Sequence, residues 1–136
     1  MIALLLAAML LVAGPAAPRA GLTSGEYIIP SETALVGGAR VRVDAVKRRI
    51  MPLGGCDDFY VVYGLEGSRL KVVEEVALHR ICLEEDANAD GLNSGVVELL
   101  HTSPHVALTD RGFDLTPGAG GQPVSFVNLQ KDAQSE

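Results

Sequence analysis

The clearest pattern in the chain is an alternation. Between Ala39 and Val46, Val41 and Val43 take every second position against Arg40, Arg42 and Asp44, as a strand with one buried and one wet face requires. Upstream, Glu26-Tyr27-Ile28-Ile29 predicts a short strand stopped by Pro30, with a turn at Gly37-Gly38. Lys47-Arg48-Arg49 reads as the solvated end of the alternating strand, and Met51-Pro52-Leu53-Gly54-Gly55 as the break after it. Phe59-Tyr60-Val61-Val62-Tyr63 is rich in β-branched and aromatic residues. Turn-forming Gly64-Leu65-Glu66-Gly67-Ser68 then leads into Arg69-Leu70-Lys71-Val72, so residues 59 to 75 form the strongest hairpin signal.

From Val73 to Glu85 the apolar positions 73, 76, 77, 78, 81, 82 and 83 fit neither a helical stripe nor an alternation. A bulged strand and a helix both satisfy them. Val96-Val97-Glu98-Leu99-Leu100 reads equally as a short helix or a strand. Val106 to Thr109 and Phe113 to Thr116 predict a second hairpin around Asp110-Arg111-Gly112, and Val124 to Leu129 a last strand. Short strands between Gly and Pro turns predict a mainly β fold, a small sandwich or barrel-like domain with one disulfide. A helix within residues 73–100 makes it α+β instead.

The first twenty residues differ in kind. Ile2 to Val12 is an unbroken apolar run, followed by Gly14-Pro15 and the small residues Ala16, Ala17 and Ala20. This pattern resembles a secretory signal peptide. The run is well short of the roughly 20 residues that span a bilayer, so cleavage is expected and no stable membrane span after it. The domain expectation is a signal peptide at 1–20, one β-rich domain at 21–130 and a flexible tail at 131–136, in a secreted or periplasmic protein.

Export changes the reading of the cysteines. Cys56 and Cys82 are the only two, and in an oxidising compartment a pair is most simply a disulfide. The loop it closes has roughly 25 residues, for which chain entropy gives about 3 to 4 kcal/mol. A metal site at His79-x-x-Cys82 or a catalytic Cys56 requires a free thiol instead. Composition excludes more than it identifies. Hydrophobic residues are 48 % and charged residues 21 % of 136, which predicts a folded domain. There is no Trp, aromatics are 4 % and the formal charge is −6. Stacking platforms and a broad basic face are therefore scarce, and nucleic acid is not an expected partner.

The most specific chemical signal is Asp86-Ala87-Asn88-Ala89-Asp90-Gly91. It resembles the opening of an EF-hand-type or dockerin-like calcium loop, in which oxygens at positions 1, 3 and 5 point inward and Gly at 6 allows the sharp turn. The resemblance implies Ca2+ held by Asp86, Asn88 and Asp90, with Glu98 as the closing acid. The match departs from the family at position 12, which is Val97, and at position 8, where Asn93 replaces an apolar residue. The bland reading is a solvated Asx-rich turn.

His79, His101 and His105 complete the candidates. Pro104 interrupts any helix that would put the last two on one face, and they read as ordinary surface histidines. Neither Gly-x-Ser-x-Gly nor His-Glu-x-x-His occurs. The functional expectation is an exported, non-catalytic binding or structural module that engages a protein or a cell-envelope component through a sheet face or edge. The alternative is a small secreted hydrolase using carboxylate and histidine chemistry around Glu98, His101 and His105.

Overall fold

The computed structural model describes residues 21–32, 36–54, 58–78 and 87–130. They form a closed antiparallel barrel in chain order: β1 (Gly25–Ile28), β2 (Arg40–Asp44), β3 (Arg49–Pro52), β4 (Asp58–Glu66), β5 (Arg69–Leu78), β6 (His105–Leu108), β7 (Gly112–Thr116) and β8 (Val124–Asn128), with α1 (Ala87–His101) between β5 and β6. The architecture is thus mainly β with one short helix inside the region where the sequence left a helix open. Neither cysteine lies among the described residues.

Each strand is in place because its alternation feeds one interior. Val41, Val43, Ile50, Val61, Tyr63, Leu70, Phe113 and Leu115 are all buried. Their outward neighbours on β2 and β3, Arg40, Arg42, Arg49 and Met51, remain in contact with water. An eight-stranded barrel is just wide enough for such side chains to fill. One wall adds an aromatic cluster. Phe113 and Phe126 are cross-strand partners, stacked with centroids 4.7 Å apart, and Tyr27 meets Phe113 edge-on at 4.9 Å.

Closure is uneven around the ring. β1 pairs with β8 at Tyr27–Asn128 and Ile28–Val127. Between β5 and β6 the registered pair is Arg69–His105, supported by Leu70 N donating to Pro104 O at 2.9 Å and Val106 N to Ser68 O at 2.7 Å. β4 and β5 are longer than the other strands, so part of their hairpin continues past this seam.

The helix closes the end of the barrel that carries the β1–β2, β3–β4 and β7–β8 loops. Leu92, Val96, Leu99 and Leu100 recur at i, i+4, i+7 and i+8 and join the core, the spacing of an inward helical stripe. Gly95 lies against Val36, where an added Cβ would stand 2.7 Å from the Val36 side chain. Buried Asn93 donates to Gly54 O at 3.0 Å. The helix stops where Thr102 N and Oγ1 turn back onto Leu99 O, Ser103 takes φ 54° and Pro104 begins the path to β6. Thr102 Oγ1 also accepts Gly118 N at 3.1 Å, tying the β7–β8 loop to the helix end.

Two expectations change here. Met51 and Pro52, expected to begin the break at 51–55, instead complete β3 after Arg49 and Ile50, with Ile50 and Pro52 inward. Lys47 and Arg48 lie in the β2–β3 turn rather than at the end of a strand. Asp44 builds that turn by accepting Val46 N and Lys47 N at 3.1 and 3.0 Å, and Arg48 closes it at φ 56°.

Candidate functional site: the outer face of β2 to β5

The outward residues of β2–β5 depart from the polar exterior expected of a water-soluble antiparallel sheet. Two cross-strand rows define the face. In the first, Asp44, Arg49, Val62 and Glu74 are successive register partners. In the second, Arg42 is opposite Met51, and Tyr60 is opposite Val76. Directly opposed residues share a face, so Met51, Tyr60, Val62 and Val76 stand outside together, each partly exposed.

A β-bulge adds a fifth apolar side chain. The β4–β5 register shifts between Val62 and Tyr63: Val62 is opposite Glu74 and Tyr63 opposite Val72, which leaves Val73 without a partner. Val73 is 69 % exposed, and its methyl lies 3.5 Å from where a Cβ on Gly64 would be. The bulge also changes which residues point inward. Before it Leu70 is buried; after it Glu75 shares a side with buried Val61 and meets His101 at the end of α1.

Charge frames the apolar centre asymmetrically. Arg49 places its guanidinium 4.3 Å over the Tyr60 ring. Arg42 and Arg40 converge on Glu26 at 2.7 and 3.5 Å. The Arg42 hydrogen bond, against a smaller opposing effect of desolvation and with help from both guanidinium charges, holds the Glu26 carboxyl below its usual range. On the far side the exposed charges are Glu74, together with Lys71 paired to Glu66 at 3.1 Å. Among the described residues, Arg49 and Glu74 make no ion pair. The arrangement of Tyr, Met and Arg inside a charged rim is the composition that interfaces favour.

The residues singled out by motif lie elsewhere. Asn88 and Asp90 fall in the first turn of α1, Glu98 near its end, and Asp86 lies outside the described residues. On an α-helix, positions two apart diverge by about 200°, and eight residues span about 12 Å. The described part of that set is helical, and no group of three or more metal-capable side chains is gathered among the described residues. His101 and His105 are exposed and have separate partners. His101 Nε2 meets Glu75 Oε1, while Arg69 Nη2 lies 3.1 Å from His105 Nε2 and Ser68 Oγ 3.5 Å from its Nδ1. Since Arg only donates, His105 Nε2 is the acceptor there. Glu98 is exposed on the helix and has no described contact with either histidine.

The face itself was missed because no motif marks it; the signal was the outward parity of Met51, Tyr60 and Val62 once the strands are in register. No family model matches the chain, and no curated protein matches it. Two structures solved by NMR are similar in fold. One is 16 % identical with a TM-score of 0.53, over 79 % of this chain and 91 % of that chain. The other, from Burkholderia xenovorans, is 12 % identical with a TM-score of 0.54, over 89 % of this chain and 94 % of that chain.

Proposed function

We propose that the protein is an exported, non-catalytic binding module that works through the outer face of β2–β5. The observation that carries this reading is the contrast between a barrel interior occupied by its own side chains and an outer face on which Val73 is exposed and Met51, Tyr60, Val62 and Val76 are partly so. A carrier barrel reserves its lumen for a ligand; here recognition falls to the surface. The partner class is a protein or a cell-envelope component, in the periplasm or outside the cell.

Export draws its support from the signal-like residues 1–20 and from the two cysteines. Asp58 at the start of β4 is registered opposite Leu78 at the end of β5. Cys56 precedes β4 and Cys82 follows β5 in the sequence, both outside the described residues, and a pair of cysteines in an exported chain is most simply one disulfide. No helix among the described residues is long and apolar enough to cross a membrane. Calcium at Asp86, Asn88, Asp90 and Glu98 would require the first turn of α1 to unwind, because its described members are spread along a helix, and thermal unfolding in EDTA against millimolar calcium tests it.

The test of the binding face is site-specific photocrosslinking in the producing cell. A photoreactive residue at position 73 is expected to give discrete adducts, and one at Asp110 in the β6–β7 turn to give none. Adducts of equal yield at both positions, or none at 73, overturn the reading. Mature N-terminal sequencing and fractionation check export: a retained Met1 in the cytoplasm contradicts it.

A further inference from the structure

We infer that the occupant of this face is a second copy of the chain, packed sheet to sheet about a two-fold axis parallel to β4. The inference rests on the proposed binding face and identifies its partner. The evidence is the order of charges across the strands. From β3 to β5 one row runs Arg49, Val62, Glu74 and its neighbour Met51, Tyr60, Val76. The first reads positive, apolar, negative; the second is apolar throughout.

A two-fold axis along β4 exchanges the two sides of the face and leaves position along the strand unchanged. Applied to this pattern, it brings Arg49 of one protomer opposite Glu74 of the other, twice per dimer. It also brings Met51 opposite Val76, and Val62 and Tyr60 each opposite themselves. Under this one operation Arg49 and Glu74 are complementary in charge and the other three contacts are apolar, as an isologous interface requires at its centre. Arg49 and Glu74 make no ion pair within the chain among the described residues, and stacking on Tyr60 already holds the Arg49 guanidinium. A partner of uniform charge would satisfy one flank and repel the other, which favours a copy over an acidic or a basic protein. Sheets packed face to face lie about 10 Å apart, and this operation keeps the two β4 strands parallel.

The surface is small. Four strands about 4.8 Å apart over about five residues give a patch roughly 19 by 17 Å, below the roughly 800 Å² per partner of standard interfaces. The dimer is therefore expected to be weak and to exchange rapidly, forming only at high concentration.

Sedimentation velocity of the mature, oxidised chain from about 1 µM to about 1 mM tests the inference. The expected result is a monomer at the low end and a dimer at the high end. Arg49→Glu and Glu74→Arg should each weaken association at least about tenfold, since each places two like-charge pairs in the dimer. The combined exchange Arg49→Glu with Glu74→Arg should restore it to within about threefold, a rescue that a merely destabilised fold would not show. Val62→Asp, at the axis, should give a monomer throughout while keeping a native circular dichroism spectrum. A wild-type monomer at every concentration overturns the inference, as does a dimer indifferent to these substitutions. If the protein stays monomeric while position 73 still crosslinks to another protein, the copy is wrong and the binding face stands. If position 73 gives no adduct either, both fall.

Discussion

The two sides of the barrel are built for different ends. Where β1, β7 and β8 meet, strands of four or five residues close the ring and Tyr27, Phe113 and Phe126 pack as one aromatic cluster. On the opposite side, β4 and β5 run for nine and ten residues, carry a bulge and place apolar side chains in water. Three of the chain's six Phe and Tyr residues lie in the first cluster. In a chain with so few aromatics, that concentration makes the closure wall the place where stability is most sensitive to change. The β4–β5 wall, anchored chiefly by its inward residues, leaves part of its apolar outer face in contact with water.

The sharpest way to break this contrast is to attack the closure wall. Phe113→Ala removes a side chain that is 2 % exposed and touches both other aromatics, and should cost about 3 to 5 kcal/mol. For a domain of this size that corresponds to a fall in Tm of at least about 10 °C, readable by calorimetry. Gly112→Ala should be of similar severity, because its Cβ would stand 2.0 Å from the Phe126 carbonyl oxygen, so β7 must separate from β8. A stable Gly112→Ala protein with unchanged Tm would show that the β7–β8 pairing is looser than described.

A smaller loss is expected at the helix. Asn93→Ala removes a buried side chain and its hydrogen bond to the carbonyl of exposed Gly54, a cost of about 0.5 to 1.5 kcal/mol. Urea unfolding should show a lower midpoint with an unchanged slope. A drop below about 0.5 kcal/mol would mean that water replaces the amide.

The helix also marks where sequence reading reached its limit. The alternation of Val41 and Val43 was legible because inward and outward residues take turns there, and the hairpins at 59–75 and 106–116 because strand-forming runs flank turn residues. α1 was not: Asn88, Asp90, Gly91, Asn93, Ser94 and Gly95 favour turns or disfavour helix. The segment is helical because Leu92, Val96, Leu99 and Leu100 have a barrel end to cover, a tertiary cause that local propensity does not register. β3 was hidden by its length and by Pro52, which the sheet accepts at a strand terminus. As far as Leu78 the ambiguity after Val73 traces to the bulge, which shifts the inward positions of β5 and so erases its period of two. The candidate face was therefore invisible until β3 and the bulge were in place.

On the β4–β5 wall the contrast predicts near silence in stability. Val73→Asp changes a side chain that is 69 % exposed and lies outside the core, so unfolding free energy should move by no more than about 0.5 kcal/mol. The same variant should weaken the association assigned to this face. Loss of fold instead would show that Val73 steadies the bulge rather than the partner.

The least effect is expected at Glu26, on the edge where the two walls join. Its carboxyl is held below the usual range chiefly by the Arg42 hydrogen bond. A carboxyl lowered in the folded state stabilises above its unfolded value and loses that contribution as pH falls through the lowered one. The wild-type protein should thus give up a small increment of stability on acidification across the carboxylate range. Glu26→Gln should already lack that increment at neutral pH and show a flatter curve. Because Glu26, Arg40 and Arg42 are all substantially exposed, salt should remove most of the difference. Curves for the two proteins that run parallel at low salt would place the acid sensitivity in other carboxylates and leave the Glu26 cluster to serve only the shape and charge of the face.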